Sequence, residues 1–88
     1  MIINIKDLKN KIIYRANYRG TKEMDKLLGS FTKKFIDQFN EVELKLLCDL
    51  LDYDDENLYK FNQGQNITIE IKLNKVTEMF KNYNYSSE

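Results

Sequence analysis

Apolar residues recur along this chain at spacings of three and four, the period of a helix with one buried face. The clearest stripe is Met24, Leu27, Leu28, Phe31, Phe35 and Phe39. It predicts an amphipathic helix of roughly five turns. Ahead of it, Leu8, Ile12 and Ala16 repeat at spacing four, with Ile5 and Ile13 alongside. Asn4, followed by Asp7 at the N3 position, marks the start of that first helix. Gly20 separates the two stripes. A third stripe runs through Leu44, Leu47, Cys48 and Leu51, broadened by Leu46 and Leu50, and Asn40 with Glu43 opens it as an N-cap and N3 pair. The run Asp52-Tyr53-Asp54-Asp55 breaks this helix. Asp54 or Asp55 then caps a short fourth helix carrying Leu58, Tyr59 and Phe61, and Gly64 is placed to stop it. Gly29 lies within the second stripe, where it costs about 1 kcal/mol of helix propensity but admits another helix closely.

Residues 67–73 read ITIEIKL, the strict alternation of a strand. No other segment alternates, so a strand here would have no partner. Ile69, Leu73, Val76 and Phe80 also fit helical spacing, which predicts a fifth helix over residues 68–82. The expected fold is all-α: a single small bundle of about five helices with short connections. Residues 1–88 form one helical domain in this reading, frayed at 1–4 and 83–88.

Composition narrows the class. Eighty-eight residues, 42% hydrophobic and 32% charged, suit one small folded domain. No apolar run approaches the roughly 18 residues that a membrane span needs. The opening MIINIKDLKNK holds an acid at Asp7 and no long apolar core, which argues against a secretory signal or a cleaved organelle presequence. Cys48 is the one cysteine, so no internal disulfide forms and a reducing cytoplasm is the expected compartment. There is no histidine, which removes the commonest general base, the commonest metal ligand and every Ser-His or Cys-His pair. Binding is expected rather than catalysis, and no residue is assigned a catalytic or metal-binding role. The acids Asp52, Asp54, Asp55 and Glu56 lack the glycine and the terminal glutamate of an EF-hand loop, so capping and charge balance are their expected work.

Charge is unevenly distributed although the net charge is zero. Residues 1–36 hold nine Lys/Arg against three acids, a balance of +6. Residues 37–59 hold eight acids against Lys45, a balance of −7. Two readings fit: a dipolar surface that orients a protein partner, or two faces that attract each other within the fold. Arginine occurs only at Arg15 and Arg19, one helical turn apart, in a chain that otherwise prefers lysine. Such use points to a need for a planar, forked donor.

Arg19-Gly20-Thr21-Lys22-Glu23 falls where the first helix ends and the second begins. Gly20 as N-cap, with Glu23 at N3 reaching back, accounts for two of these residues. It leaves Arg19, Arg15 and Tyr18 unexplained. The alternative is a docking corner, in which Arg19 offers its fork outward, Gly20 lets a partner's backbone approach, and Glu23 holds the corner or meets a partner's cation.

The stretch IIYRANYRGTKEMDKLLGSF, Ile12 to Phe31, resembles the signature region of the succinate dehydrogenase flavinylation factors, the SdhE/YgfY family of FAD assembly factors. Their Arg-Gly-x-x-Glu hallmark is matched by Arg19, Gly20 and Glu23, and Met24-Asp25, Leu27-Leu28-Gly29 and Phe31 are similar to bacterial members. A second family stretch, an acidic turn leading into Leu-aromatic, resembles Asp54-Asp55-Glu56-Asn57-Leu58-Tyr59. Here Glu56 and Asn57 stand where the family often has proline and aspartate, Phe61 where it has tryptophan, and Tyr18 where a basic residue is common. The resemblance implies a non-enzymatic assembly factor, a monomer when free. It would bind the flavoprotein subunit of succinate dehydrogenase, in some bacteria also fumarate reductase, and promote covalent attachment of FAD to a histidine there. The FAD belongs to that partner and is not tightly held by this chain. The implied docking surface is Arg19, Gly20 and Glu23 with Arg15 and Tyr18, joined by Asp54, Leu58 and Tyr59 of the second stretch. The rival expectation is a small nucleic-acid-binding or regulatory module using the basic N-terminal region.

Overall fold

The computed structural model describes residues 4–84. Five helices follow in order: α1 Ile5–Asn17, α2 Lys22–Phe35, α3 Glu41–Leu51, α4 Asp55–Asn62 and α5 Lys75–Lys81. No strand occurs among the described residues, so the all-α expectation holds. Packing runs α1 on α2 and α3, with α5 against α3 and α4. Their inner faces meet in one core that includes Ile12, Leu28, Phe31, Leu44, Leu58 and Phe80.

Caps set most of the boundaries. Asn4 Oδ1 accepts from the Asp7 amide at 3.2 Å and opens α1. Asn40 and Glu43 exchange both capping-box bonds at the start of α3, each 2.9 Å. Asp54 opens α4 by accepting from the Asn57 amide at 3.1 Å. Gly64, at φ +73, closes α4. There the Gln65 amide donates to the Lys60 carbonyl and the Gly64 amide to that of Phe61, the paired bonds of a Schellman motif.

Three expectations need correction. The N-cap of α2 is Thr21, whose hydroxyl accepts from the Met24 amide at 3.3 Å, and not Gly20. Glu23 therefore sits at N2 and closes no capping box. The long aromatic stripe also outlasts its helix. α2 ends at Phe35, a 3₁₀ turn spans Ile36–Gln38, and Phe39 is buried beyond it.

The predicted fifth helix over 68–82 is likewise only Lys75–Lys81. Residues 65–74 form neither helix nor strand, so this connection is not short. Ile67, Thr68, Ile69 and Ile71 are β-branched and lose rotamer freedom in a helix. Ile71 is buried while Ile69 and Leu73 are exposed, opposite to the helical-face expectation for those two. Side chains satisfy part of the backbone of this irregular segment. Buried Asn57 accepts from the Thr68 amide at 2.9 Å, and the Thr77 hydroxyl donates to the Lys72 carbonyl at 3.0 Å. Of the ends expected to fray, residues 1–3 and 85–88 lie outside the described residues. Asn4 caps α1, while Tyr83 donates its hydroxyl to Ser30 at 2.9 Å and packs edge-on against Phe31.

Candidate functional site: the corner between the first two helices

The link from Tyr18 to Thr21 turns the chain from α1 into α2. Gly20 makes the turn possible: its φ of +114 lies outside what L-residues adopt readily. A Cβ built there would meet nothing within 4 Å, so the glycine faces open space. A few residues on, Gly29 serves a different need. A Cβ at Gly29 would come within 2.5 Å of Asn17 Oδ1, so its bareness leaves room for that side chain at the end of α1.

Arg19 is the centre of the corner, and it points inward. Its Nε donates to Asp55 Oδ1 at 2.8 Å, one terminal nitrogen to the Leu51 carbonyl at 2.7 Å, and the other to the Tyr53 carbonyl at 2.8 Å. The side chain is only 11% exposed. Leu51 is the last residue of α3 and Asp55 the first of α4, so one guanidinium serves the negative end of one helix and an acid at the positive end of the next. A planar fork does this; an ammonium offers no such geometry. The Arg19 amide in turn donates to the Asp25 carboxylate, tying the corner to α2.

The expectation that Arg19 offers its fork to a partner is therefore corrected: the fork is engaged within the fold. Leu58 is corrected too, since it is wholly buried in the core and has no surface to dock with. Arg15 pairs with Asp52 at 2.6 Å across the same junction. Both arginines thus clamp the acidic link between α3 and α4. Lys9 reaches Asp37 at 3.2 Å. These three pairs join the basic first segment to the acidic second, as in the internal-attraction reading of the charge pattern. They also engage three of the nine basic side chains on which a nucleic-acid footprint depended.

The remaining predicted residues stand outward around the rigid corner. Tyr18 is 70% exposed and stacks on exposed Tyr14 with ring centroids 4.7 Å apart. Gly20 and Glu23 are exposed. Tyr59, on α4, is 45% exposed and lines a groove with Thr21, Glu23, Met24, Asp55 and Glu56. Asp54 is exposed, with its carboxylate turned to Asn57; hydrogen bonds from the Asn57 side chain and amide hold its pKa below the usual aspartate range. Residues that the sequence reading missed are Thr21, Asp25, Asn57 and the carbonyls of Leu51 and Tyr53. Thr21 was open to recognition, because threonine is a common N-cap and stands directly before the helix. The carbonyls carry no sequence signal. Cys48 is half-buried, and that burial pushes its thiol pKa up, so it stays protonated at neutral pH. Among the described residues no group of three or more Cys, Asp and Glu is placed to hold a metal ion.

Fold and corner together define a small all-helical protein with an inward-turned, largely covered arginine behind its corner. A family model described as "Flavinator of succinate dehydrogenase" matches residues 10–84, and the chain belongs to that family. It is 41% identical over 49 residues to the mitochondrial succinate dehydrogenase assembly factor 2 of Scheffersomyces stipitis, covering 56% of this chain. The match spans about a third, 33%, of that relative's length. No solved structure matches. The relative's name places that protein in mitochondria, so the expected cytoplasmic compartment is not carried over to this chain. No helix among the described residues is long and apolar enough to cross a membrane.

Proposed function

We propose that this chain is a non-catalytic assembly factor that binds the flavoprotein subunit of succinate dehydrogenase and favours covalent attachment of its FAD. The bond-making groups and the flavin belong to the client. The observation that carries this reading is the open, rigid corner at Gly20, braced from behind by Arg19 and flanked by Tyr18, Glu23 and Tyr59. A braced surface loses little conformational freedom on docking, so more of its contact energy is available to favour one conformation of the client. Bringing flavin and histidine into reacting geometry is a matter of position, which such a surface can supply without a reactive group of its own.

The test is a pull-down of the purified flavoprotein subunit, followed by ultraviolet in-gel fluorescence of flavin that survives denaturation. Gly20→Arg is expected to abolish capture and to lower the fluorescent band strongly. Because that position is left-handed, Tyr18→Ala, at an exposed site, is run beside it with thermal melts of both. Tyr18→Ala is expected to melt as the parent does and to weaken capture about tenfold. Normal capture and normal flavin attachment by both variants sinks the reading.

A further inference from the structure

The stretch ITIEIKL carries the alternation of a strand, yet its own chain holds no strand to pair with it among the described residues. Its backbone is nevertheless divided as that of an edge strand is. Where a chain runs extended, the N–H and C=O groups of alternate residues point to opposite edges. Thr68 and Lys72 are engaged by the fold. The Thr68 amide donates to Asn57 Oδ1 at 2.9 Å and the Lys72 amide to the Tyr53 hydroxyl at 3.4 Å, while the Lys72 carbonyl accepts from the Thr77 hydroxyl at 3.0 Å. At Ile69, Glu70, Ile71 and Leu73 no backbone group is hydrogen-bonded among the described residues. The odd positions therefore offer a row of free donors and acceptors on the edge opposite the one that Asn57 and Tyr53 hold. The chain bends at Thr68 and Ile69 and runs without a bend from Glu70 to Asn74, so the row is short. The side chains are divided in the same way. Thr68, Glu70 and Lys72 are exposed, and neither Glu70 nor Lys72 has an ion-pair partner among the described residues. Ile71 is buried, while Ile69 and Leu73 on either side of it are exposed apolar residues.

We infer that this edge pairs with the same edge of a second copy of the chain, antiparallel and centred on Ile71. A two-fold axis between the two Ile71 residues makes the contact the same from both sides. Ile71 exchanges both backbone bonds with its counterpart, and Ile69 does so with Leu73 of the second copy. Charge favours this register. Glu70 stands opposite Lys72 of the second copy on each side of the axis, at the non-hydrogen-bonded positions where cross-strand side chains come closest. A shift of the centre by one residue sets Glu70 against Glu70 or Lys72 against Lys72, and parallel pairing in register aligns like charges as well. Ile69 and Leu73, exposed in the single chain, then cover one another. So short a pairing gives a weak, concentration-dependent dimer, in equilibrium with the monomer that the family resemblance implies. The inference does not depend on the docking reading above.

Sedimentation velocity of the full chain, from about 10 µM to about 1 mM at about 50 mM salt, measures the self-association. The parent is expected to shift from one copy towards two as concentration rises. Hydrogen exchange at the Ile69, Ile71 and Leu73 amides is expected to slow over the same range, the mark of strand pairing. Glu70→Lys and Lys72→Glu, both at exposed sites and checked by thermal melts, each set like charges opposite one another. Each is expected to weaken the dimer at least about tenfold. An equimolar mixture of the two variants again places opposite charges face to face, as does the double variant that carries both changes. Mixture and double variant are both expected to recover the dimer of the parent. A parent that stays a single copy at the highest concentration overturns the inference. So does a dimer in which those three amides exchange as fast as in the single chain, or one that the single changes leave as strong as before, or one that the mixture fails to restore.

Discussion

Arg19 shows how far a single residue can be read from sequence and where that reading stops. Its rarity in a lysine-rich chain correctly signals a need for a planar fork, but not which way the fork faces. The direction depends on two carbonyls and one carboxylate that lie 32 to 36 positions away, and carbonyls leave no mark in a sequence. Removing the fork leaves Asp55 without its partner and two helix-junction carbonyls without donors. Arg19→Ala is therefore expected to cost about 2–4 kcal/mol. That corresponds to a drop in Tm of about 10 °C or more in a domain of this size. Arg19→Lys restores charge but not the three-way geometry and is expected to recover less than half. Thermal melts by far-ultraviolet circular dichroism decide this, and an Arg19→Lys variant as stable as the parent would show that the fork is not the reason for the arginine.

The starts of α1, α3 and α4 were legible, because Asn4, Asn40 and Asp54 act locally through their own side chains, whereas those of α2 and α5 fall at Thr21 and Asn74, outside the expected places. Helix ends and the segment before α5 were less so. ITIEIKL fits two periodicities, and its conformation is decided by Asn57, which reaches it from α4. Further on, the start of α5 is tied to that of α3 by Lys75 Nζ and Glu43 Oε2 at 2.6 Å. The hydrogen bond from Lys75 and that from the Asn40 amide hold the Glu43 pKa below the usual glutamate range. A carboxyl depressed in the folded state contributes stability that is present above its unfolded pKa and is lost as pH falls through the folded value. The loss therefore begins near pH 4.3, the ordinary glutamate value, and grows below it. Glu43→Gln is expected to lower stability at pH 7 and to flatten its fall between about pH 4.5 and 3. Urea midpoints across that range measure the slope, and an unchanged slope in Glu43→Gln would remove this pair from the acid response.

Across the whole molecule, the segregation of charge along the chain is partly undone by folding. The pairs Lys9–Asp37, Arg15–Asp52 and Arg19–Asp55 bring the two halves of the pattern together. A linear count of charge overstates the field that a distant partner meets, since contacts within the fold cancel part of it. With a net charge of zero and a pI near 6.3, the protein is expected to pass through a DNA column at 150 mM salt and pH 7.5 without retention. Salt-dependent retention under those conditions would restore the nucleic-acid reading. The overall architecture was legible because five amphipathic segments leave few alternatives to a helical bundle. The division of the corner into inward arginine and outward glycine, glutamate and tyrosine was not, since both groups sit side by side in one short motif.

The arginine brace also has a bearing on time. The turn at Gly20 is specified locally, but the brace closes only when residues 51–55 arrive, a loop of more than thirty positions. A nascent chain still emerging from the ribosome therefore carries the motif without displaying its finished form. The finished corner is thereby reserved for molecules in which the junction of α3 and α4 has already packed against it.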